Sequence, residues 1–342
     1  MKICILGPVM TEQYWGGVAT FDEGLGLAFE ALGHEVILVT AQTEHHRNTS
    51  LPIQHQKKTE IRRFLRQNHF ELVIASLEYG RYLQSTDGCT TIYFLHGFFN
   101  FRSYGRMKTL AAVLYQKWLA GKADCVCANS SFTAAINRKI WNIPVDAVIH
   151  LGADEDYLQQ IQAKPQIVNA ANRVILFTGR LVEGKGCDKI IEAVASLNRK
   201  HAEYQLVIAG DGKQRGELES LAQDRKCNVC FLGRVEHAQM IDVYRNAEVF
   251  ISLNETEPYG IVFVEALLAG CKIVCPATGG QVEFLREHAD RVALLEQNDT
   301  AGIAAAIEQM MMCQCEPVDS QRMCEQFSYE TTAKKILAIQ QK

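Results

Sequence analysis

No apolar run among the 342 residues approaches the roughly 20 that a membrane-spanning helix requires, which excludes a helical transmembrane protein. The opening MKICILGPVM lacks a small-residue cleavage site behind its apolar stretch and reads at once as a strand. A secretory leader is therefore not expected, and the mature chain is expected to start here. Neither sign of charge dominates: 35 Lys+Arg stand against 39 Asp+Glu, net -4, which gives no reason to expect a nucleic-acid partner. Low-complexity tracts are absent. The 12 cysteines include one CxxC, Cys227 to Cys230, with no second CxxC or His pair at zinc-ribbon spacing, so core cysteines are expected there rather than a metal. Cys4, Cys89, Cys187, Cys271 and Cys275 stand singly in apolar runs, as small buried hydrophobes do, and a reduced, cytoplasmic compartment follows. Also missing is a G-x-G-x-x-G after the first strand with an acid closing the next, which disfavours a dinucleotide oxidoreductase. Gly210-Asp211-Gly212 is too little to replace it.

What is present is a rhythm. Short β-rich apolar runs alternate with longer stretches of helical period, the signature of parallel α/β layers. One set covers 2–6, 35–40, 71–76, 90–95, 124–128 and 147–151; a second covers 173–178, 205–209, 229–232, 248–253, 272–275 and 291–295. Between them lies 154–172, polar and holding Pro165, which reads as a connector. The expected organisation is an N-terminal domain over 1–154 and a C-terminal domain over 155–326. The amphipathic stretch 327–342 is expected to cross back onto the first domain. Open parallel sheets bind ligands beyond the carboxyl ends of their strands, so the chemistry is expected at strand-to-helix junctions, in the cleft between the two domains.

Those junctions carry distinctive residues. Gly16-Gly17 precede a helical pattern, where paired glycines let an anion approach free backbone N–H groups; a tight turn would explain them equally well. In FTGRLVEGKG at 177–186, Arg180 and Lys185 flank a glycine-bearing loop at a strand's end, as a diphosphate clamp would, an arginine fork plus a lysine point charge. Exposed surface cations are the alternative. The stretch EPYGIVFVE at 257–265 places Glu257 in a loop and Glu265 in a helix ending near Gly270. Even if it were all helix, the two carboxylates would stand about 12 Å apart along the axis. A paired acid and base acting on one bond need roughly 5 to 9.5 Å, so the glutamates are expected to grip different parts of one extended ligand. Glu265, among Phe263, Val264, Ala266, Leu267 and Leu268, needs a partner when buried; a diol suits it, and an internal salt bridge is the alternative. Backbone N–H groups near Gly260, Ile261 and Val262 lie at that helix's positive end. Two segments are basic: 57–69 holds five basic side chains against one acid, and 98–122 holds five and none, interleaved with aromatics. Such segments can lie on an anionic membrane surface, form a solvated helix face, or line a groove for an anionic substrate.

Together, GGVATFDEGLGLAFEALGHEV near the start, FLHG at 94–97, ANSSF at 128–132, FTGRLVEGKG, IAGDG at 208–212, FLGRV at 231–235, EPYGIVFVEALLAG at 257–270 and TGGQVEF at 278–284 resemble the retaining, nucleotide-sugar-dependent glycosyltransferases of family 4. The resemblance implies a GT-B fold: α/β, two Rossmann-like doubly wound domains facing across a cleft. It further implies a hexosyltransferase-type enzyme that moves a sugar from a nucleoside-diphosphate donor, a UDP-sugar foremost, to a glycan or lipid-linked acceptor. A role in bacterial surface polysaccharide or glycolipid synthesis goes with it. No metal and no further cofactor are expected, the departing phosphate itself assisting deprotonation of the acceptor. By position, Arg180 and Lys185 would bind the donor diphosphate with backbone at Gly17, and Glu265 would hold the ribose. Glu257 with the main chain of Tyr259, Gly260 and Ile261 would contact the transferred sugar, His96 would lie near it, and Arg234 and Val235 would border the base. Leu253 and Asn254 depart from the family's frequent Pro-Ser, and 151–154 reads Leu-Gly-Ala-Asp where Asn-Gly-Val-Asp is common. Base, sugar and acceptor stay open, as do a nucleotide-sugar 2-epimerase or a non-catalytic nucleotide-sugar subunit on the same fold.

Overall fold

The computed structural model describes residues 1–11, 16–43, 49–101, 105–163, 173–200, 203–316 and 318–340. It divides into two compact units, Met1–Glu155 with Gln326–Lys342, and Asp156–Glu325.

The first unit is a seven-stranded sheet: β1 (Lys2–Leu6), β2 (Glu35–Thr40), β3 (Ile53–His55), β4 (Leu72–Ser76), β5 (Thr90–Leu95), β6 (Cys125–Ala128) and β7 (Ala147–Val148). Their order is β3-β2-β1-β4-β5-β6-β7 and every pairing is parallel. Because side chains alternate across a strand, Ile3 and Ile5 enter a core with Phe21, Leu25 and Phe29, while Cys4 and Leu6 enter a second core on the opposite face with Val73, Tyr93 and Val126. Both faces are thus covered, and the strands read as unbroken apolar runs.

The second unit has six strands: β8 (Val174–Thr178), β9 (Gln205–Ala209), β10 (Val229–Gly233), β11 (Val249–Ile251), β12 (Lys272–Pro276) and β13 (Val292–Leu295). All pairings are again parallel, in the order β10-β9-β8-β11-β12-β13. Strand order reverses between β1 and β4 in one sheet and between β8 and β11 in the other. At such reversals the connections leave in opposite directions and open a crevice beyond the carboxyl ends.

Two expectations need correction. The stretch from 154 is not simply a connector, since Glu155–Ala163 is a helix burying Tyr157, Leu158 and Ile161, apolar positions masked in the sequence by polar neighbours; residues 164–172 of that stretch, with Pro165, lie outside the described residues. The strand β3 was not expected, being three residues long with two exposed. The C-terminal helix, Tyr329–Gln340, packs on helix Gly17–Ala31: a Cβ at Gly24 would lie 2.4 Å from the Tyr329 ring. Ala153 N–H donates to the Phe327 carbonyl at 2.7 Å, and Thr332 Oγ1 donates to the His150 carbonyl at 2.9 Å. Residues 341 and 342 lie outside the described residues.

Candidate functional site

In the second unit the expected residues follow β8 and β11, the strands at the order reversal. After Thr178 the chain turns through Gly179 and runs to helix Cys187–Lys200. Gly184 (φ 88°) and Gly186 (φ 71°) lie in the left-handed region that side chains avoid, and a Cβ at Gly186 would lie 2.8 Å from the Cβ of Leu253. This geometry sets Lys185 Nζ 3.6 Å from Glu257 Oε2, and the same oxygen accepts a 2.7 Å bond from Asn254 Nδ2. Lys185 and Glu257 are partly solvated and beyond hydrogen-bond distance, so their attraction is worth no more than about 1 kcal/mol. An incoming dianion can outbid it. Arg180 is exposed, and among the described residues its guanidinium has no hydrogen bond or ion pair.

Helix Ile261–Leu268 starts from Gly260, itself left-handed (φ 86°, ψ 60°), where a Cβ would lie 2.6 Å from the Phe263 ring. The Tyr259 side chain is buried against Phe284 and is not available to a ligand. Ile261 and Val262 are half-buried in the helix's first turn. The Glu257 carbonyl accepts from Gly280 N–H at 2.8 Å, tying the loop to the Gly279-Gly280 turn. Glu265 is 8% exposed. Tyr244 Oη donates to its Oε2 at 3.0 Å, His237 Nε2 lies 3.8 Å from its Oε1, and Tyr157 Oη donates to its main-chain carbonyl at 2.7 Å. Burial, then the Glu265 charge, pushes the Tyr244 phenol well up, so it stays a donor. Arg234, exposed, and Val235, half-buried, follow β10.

In the first unit Gly16 and Gly17 open helix Gly17–Ala31 with no side-chain cap, and a Cβ at Gly17 would meet nothing within 4 Å. His96 follows β5. Its ring is held edge-on by Phe21 at 4.9 Å and tilted against Phe94 at 5.0 Å. Its Nε2 lies 2.9 Å from Ser76 Oγ at the end of β4, and Ser76 Oγ lies 2.7 Å from Oδ1 of the fully buried Asp22. Burial pulls the His96 imidazole down to about 3 and keeps it neutral. The half-buried Cys227 and Cys230 are free thiols, and among the described residues no three His, Cys, Asp or Glu side chains could cage a metal ion. No helix among the described residues is long and apolar enough to cross a membrane.

Sequence reasoning missed Asp22, Ser76, Tyr157, His237, Tyr244 and Asn254. Only Asn254 carried a signal, as a departure from the family's usual pair three residues before Glu257; the others are joined by contacts that no spacing announces.

Comparison with known proteins places this geometry. The pattern described as Glycosyl transferases group 1 matches residues 159–332, and the one described as Glycosyltransferase Family 4 matches residues 15–157. The chain is 27% identical over 231 residues to the phosphatidylinositol N-acetylglucosaminyltransferase gpi3 subunit of Schizosaccharomyces pombe, an alignment covering 65% of this chain and 48% of that protein. It is 31% identical over 150 residues to a GDP-mannose-dependent monoacylated alpha-(1-6)-phosphatidylinositol monomannoside mannosyltransferase of Corynebacterium glutamicum, covering 39% of each. The chain thus spans less than half the length of these curated relatives. Among solved structures, Anabaena HepE in complex with UDP and glucose superposes with a TM-score of 0.71 at 17% identity, over 99% of both chains, a likeness of fold that makes the two-sheet architecture a GT-B one.

Proposed function

The chain belongs to the group 1 glycosyl transferases, and on that premise we propose that it moves a sugar, with retention of anomeric configuration, from a nucleoside-diphosphate sugar to a glycan or lipid-linked acceptor. The observation carrying this reading is the Lys185–Glu257 ion pair, with Arg180 exposed on the same loop, at the order reversal of the second sheet. Its chemistry is electrostatic. As the glycosidic bond lengthens, charge gathers on the departing diphosphate, and cations fixed beside it lower the barrier most when water is excluded. In this reading those cations, with N–H groups at Gly17, neutralise the diphosphate without a metal. Glu257, released from Lys185 and steadied by Asn254, turns to the transferred sugar with the main chain of Tyr259, Gly260 and Ile261. Glu265 accepts from the ribose hydroxyls, and Arg234 and Val235 border the base. His96 contacts the sugar in the same reading.

A UDP-sugar is the favoured donor, supported by HepE structures containing UDP and UDP-glucose; the corynebacterial relative's GDP-mannose is the competitor. A thermal-shift panel of UDP- and GDP-sugars tests this. A donor at 100 times its Kd is expected to stabilise the protein by about 2.7 kcal/mol. Release of nucleoside diphosphate that depends on added acceptor, with the product's anomeric configuration unchanged, would complete the case; an epimerised nucleotide sugar formed without acceptor would turn it toward an epimerase.

A lipid-linked acceptor calls for contact with a membrane surface, and helix Arg106–Ala120 is suited to it. Met107 is 86% exposed and Leu114 69%, with Leu110, Tyr115 and Trp118 also open to solvent and Lys122 Nζ 4.4 Å above the Trp118 ring. Arg106, Lys108 and Lys117 add charge without an acid on that helix. The other basic segment differs: Ile61 is buried and Phe64 and Leu65 pack on the core, so it offers charge without an apolar face. Residues 102–104 lie outside the described residues. Phosphatidylglycerol vesicles are expected to retain the protein at low salt and lose it at high salt, whereas Leu114→Asp abolishes retention even at low salt. Equal retention on neutral phosphatidylcholine vesicles would count against anionic-lipid docking.

A further inference from the structure

The residues behind His96 are unusual for a core. Asp22 is fully buried on helix Gly17–Ala31, and among the described residues its Oδ2 has no hydrogen-bond partner and no Lys or Arg pairs with it. Gly7, directly after β1, makes the room: a Cβ there would lie 1.8 Å from Asp22 Oδ2. From Asp22 Oδ1 the contacts run 2.7 Å to Ser76 Oγ and 2.9 Å on to His96 Nε2, while Phe21 and Phe94 pin the ring. His96 Nδ1 has no partner among the described residues.

A hydroxyl has one proton, so this chain can run in only two directions. If Asp22 is ionised, Ser76 donates to it and His96 must donate from Nε2. If Asp22 holds a proton on Oδ1, it donates to Ser76, Ser76 donates to Nε2, and the imidazole keeps its own proton on Nδ1. A fully buried carboxylate with a single donor and no cation among the described residues is several kcal/mol worse than the neutral acid, and a proton on Oδ2 rather than Oδ1 would find no acceptor there. The second direction therefore wins.

We propose that Asp22 and Ser76 are positioning residues that set the tautomer of His96, fixing its proton on Nδ1 so that the ring offers an N–H donor to a ligand oxygen. Burial raises the Asp22 carboxyl well above its ordinary value, in the same sense. The consequence for transfer rests on the reading above in which His96 contacts the sugar; the tautomer itself does not.

The test is the ring-nitrogen NMR spectrum of the full chain labelled with 15N-histidine, with His96 assigned by its loss in His96→Gln. The expected spectrum shows Nδ1 protonated and Nε2 bare. Asp22→Asn, whose amide N–H can replace the acid proton, keeps that pattern; Ser76→Ala, which breaks the chain, shifts the proton toward Nε2. A wild-type ring protonated on Nε2, or a Ser76→Ala ring still held on Nδ1, would overturn the proposal. Turnover separates the two ideas. Ser76→Ala is expected to lower kcat roughly tenfold with donor KM unchanged, the scale of losing an orienting partner. Wild-type turnover in His96→Gln would remove the sugar contact and leave the tautomer result standing.

Discussion

Lys185→Ala is expected to cut turnover at least tenfold while leaving the thermal unfolding of the protein nearly unchanged. Structure loses little, because the contact removed is one partly solvated pair at 3.6 Å, and Glu257 keeps its bond from Asn254. Chemistry loses more. A tenfold fall corresponds to about 1.4 kcal/mol of barrier, and a single well-placed donor to developing charge commonly contributes about twice that. Since charge on the leaving diphosphate grows toward the transition state, kcat should fall more than donor KM rises. A variant impaired only in KM would mean that Lys185 holds the ground state and transition state alike. Unchanged turnover would remove the clamp altogether.

Gly210→Ala is expected to be worse for the protein than any of the site substitutions, destabilising the second unit by about 3 kcal/mol in urea unfolding, the upper end of the usual range for forced overpacking. The residue adopts φ 153°, and a Cβ would lie 1.9 Å from the carbonyl oxygen of Gly179, an obstacle that cannot rotate away. Around it, Gly179 N–H donates to the Ala209 carbonyl at 3.0 Å and Gly210 N–H to the Gly233 carbonyl at 2.7 Å. Those bonds knit the ends of β8, β9 and β10 beside Arg180, so a shifted Gly179 displaces the clamp as well. Gly216→Ala is the control. It is helical, its Cβ would meet nothing within 4 Å, and alanine there should stabilise by about 0.5–1 kcal/mol. If both variants unfold alike, the close approach at 210 is not what holds these strand ends.

The strands were legible because a sheet covered on both faces leaves no polar alternation to blur the pattern. VILFT at 174–178 and LVIAS at 72–76 could hardly be anything else. The edge strand IQH at 53–55 was not, having neither length nor apolar content. At the site, glycines next to cations gave away the loop after β8, because a backbone that must go left-handed leaves its mark in composition. The surroundings of Glu265 gave nothing away. Tyr157 reaches it across 108 residues and Tyr244 across 21, and a buried tyrosine on a helix looks like any other core residue until its hydroxyl is seen to have a carboxylate beside it. Asp22 was hidden similarly: in a stretch read only as a helical pattern, one acid among Phe21 and Leu25 passes for a solvent-facing position, and only the space left by Gly7 reveals that it faces inward.

The first unit is assembled from both ends of the sequence, with residues 156–325 interposed. During synthesis, the groove on helix Gly17–Ala31 that will receive Tyr329, Ala333 and Ile336 must wait, apolar and uncovered, until the chain as far as residue 336 has left the ribosome. The half of the molecule begun first is therefore finished last, and a nascent chain halted before residue 326 would carry a completed second unit beside an incomplete first one.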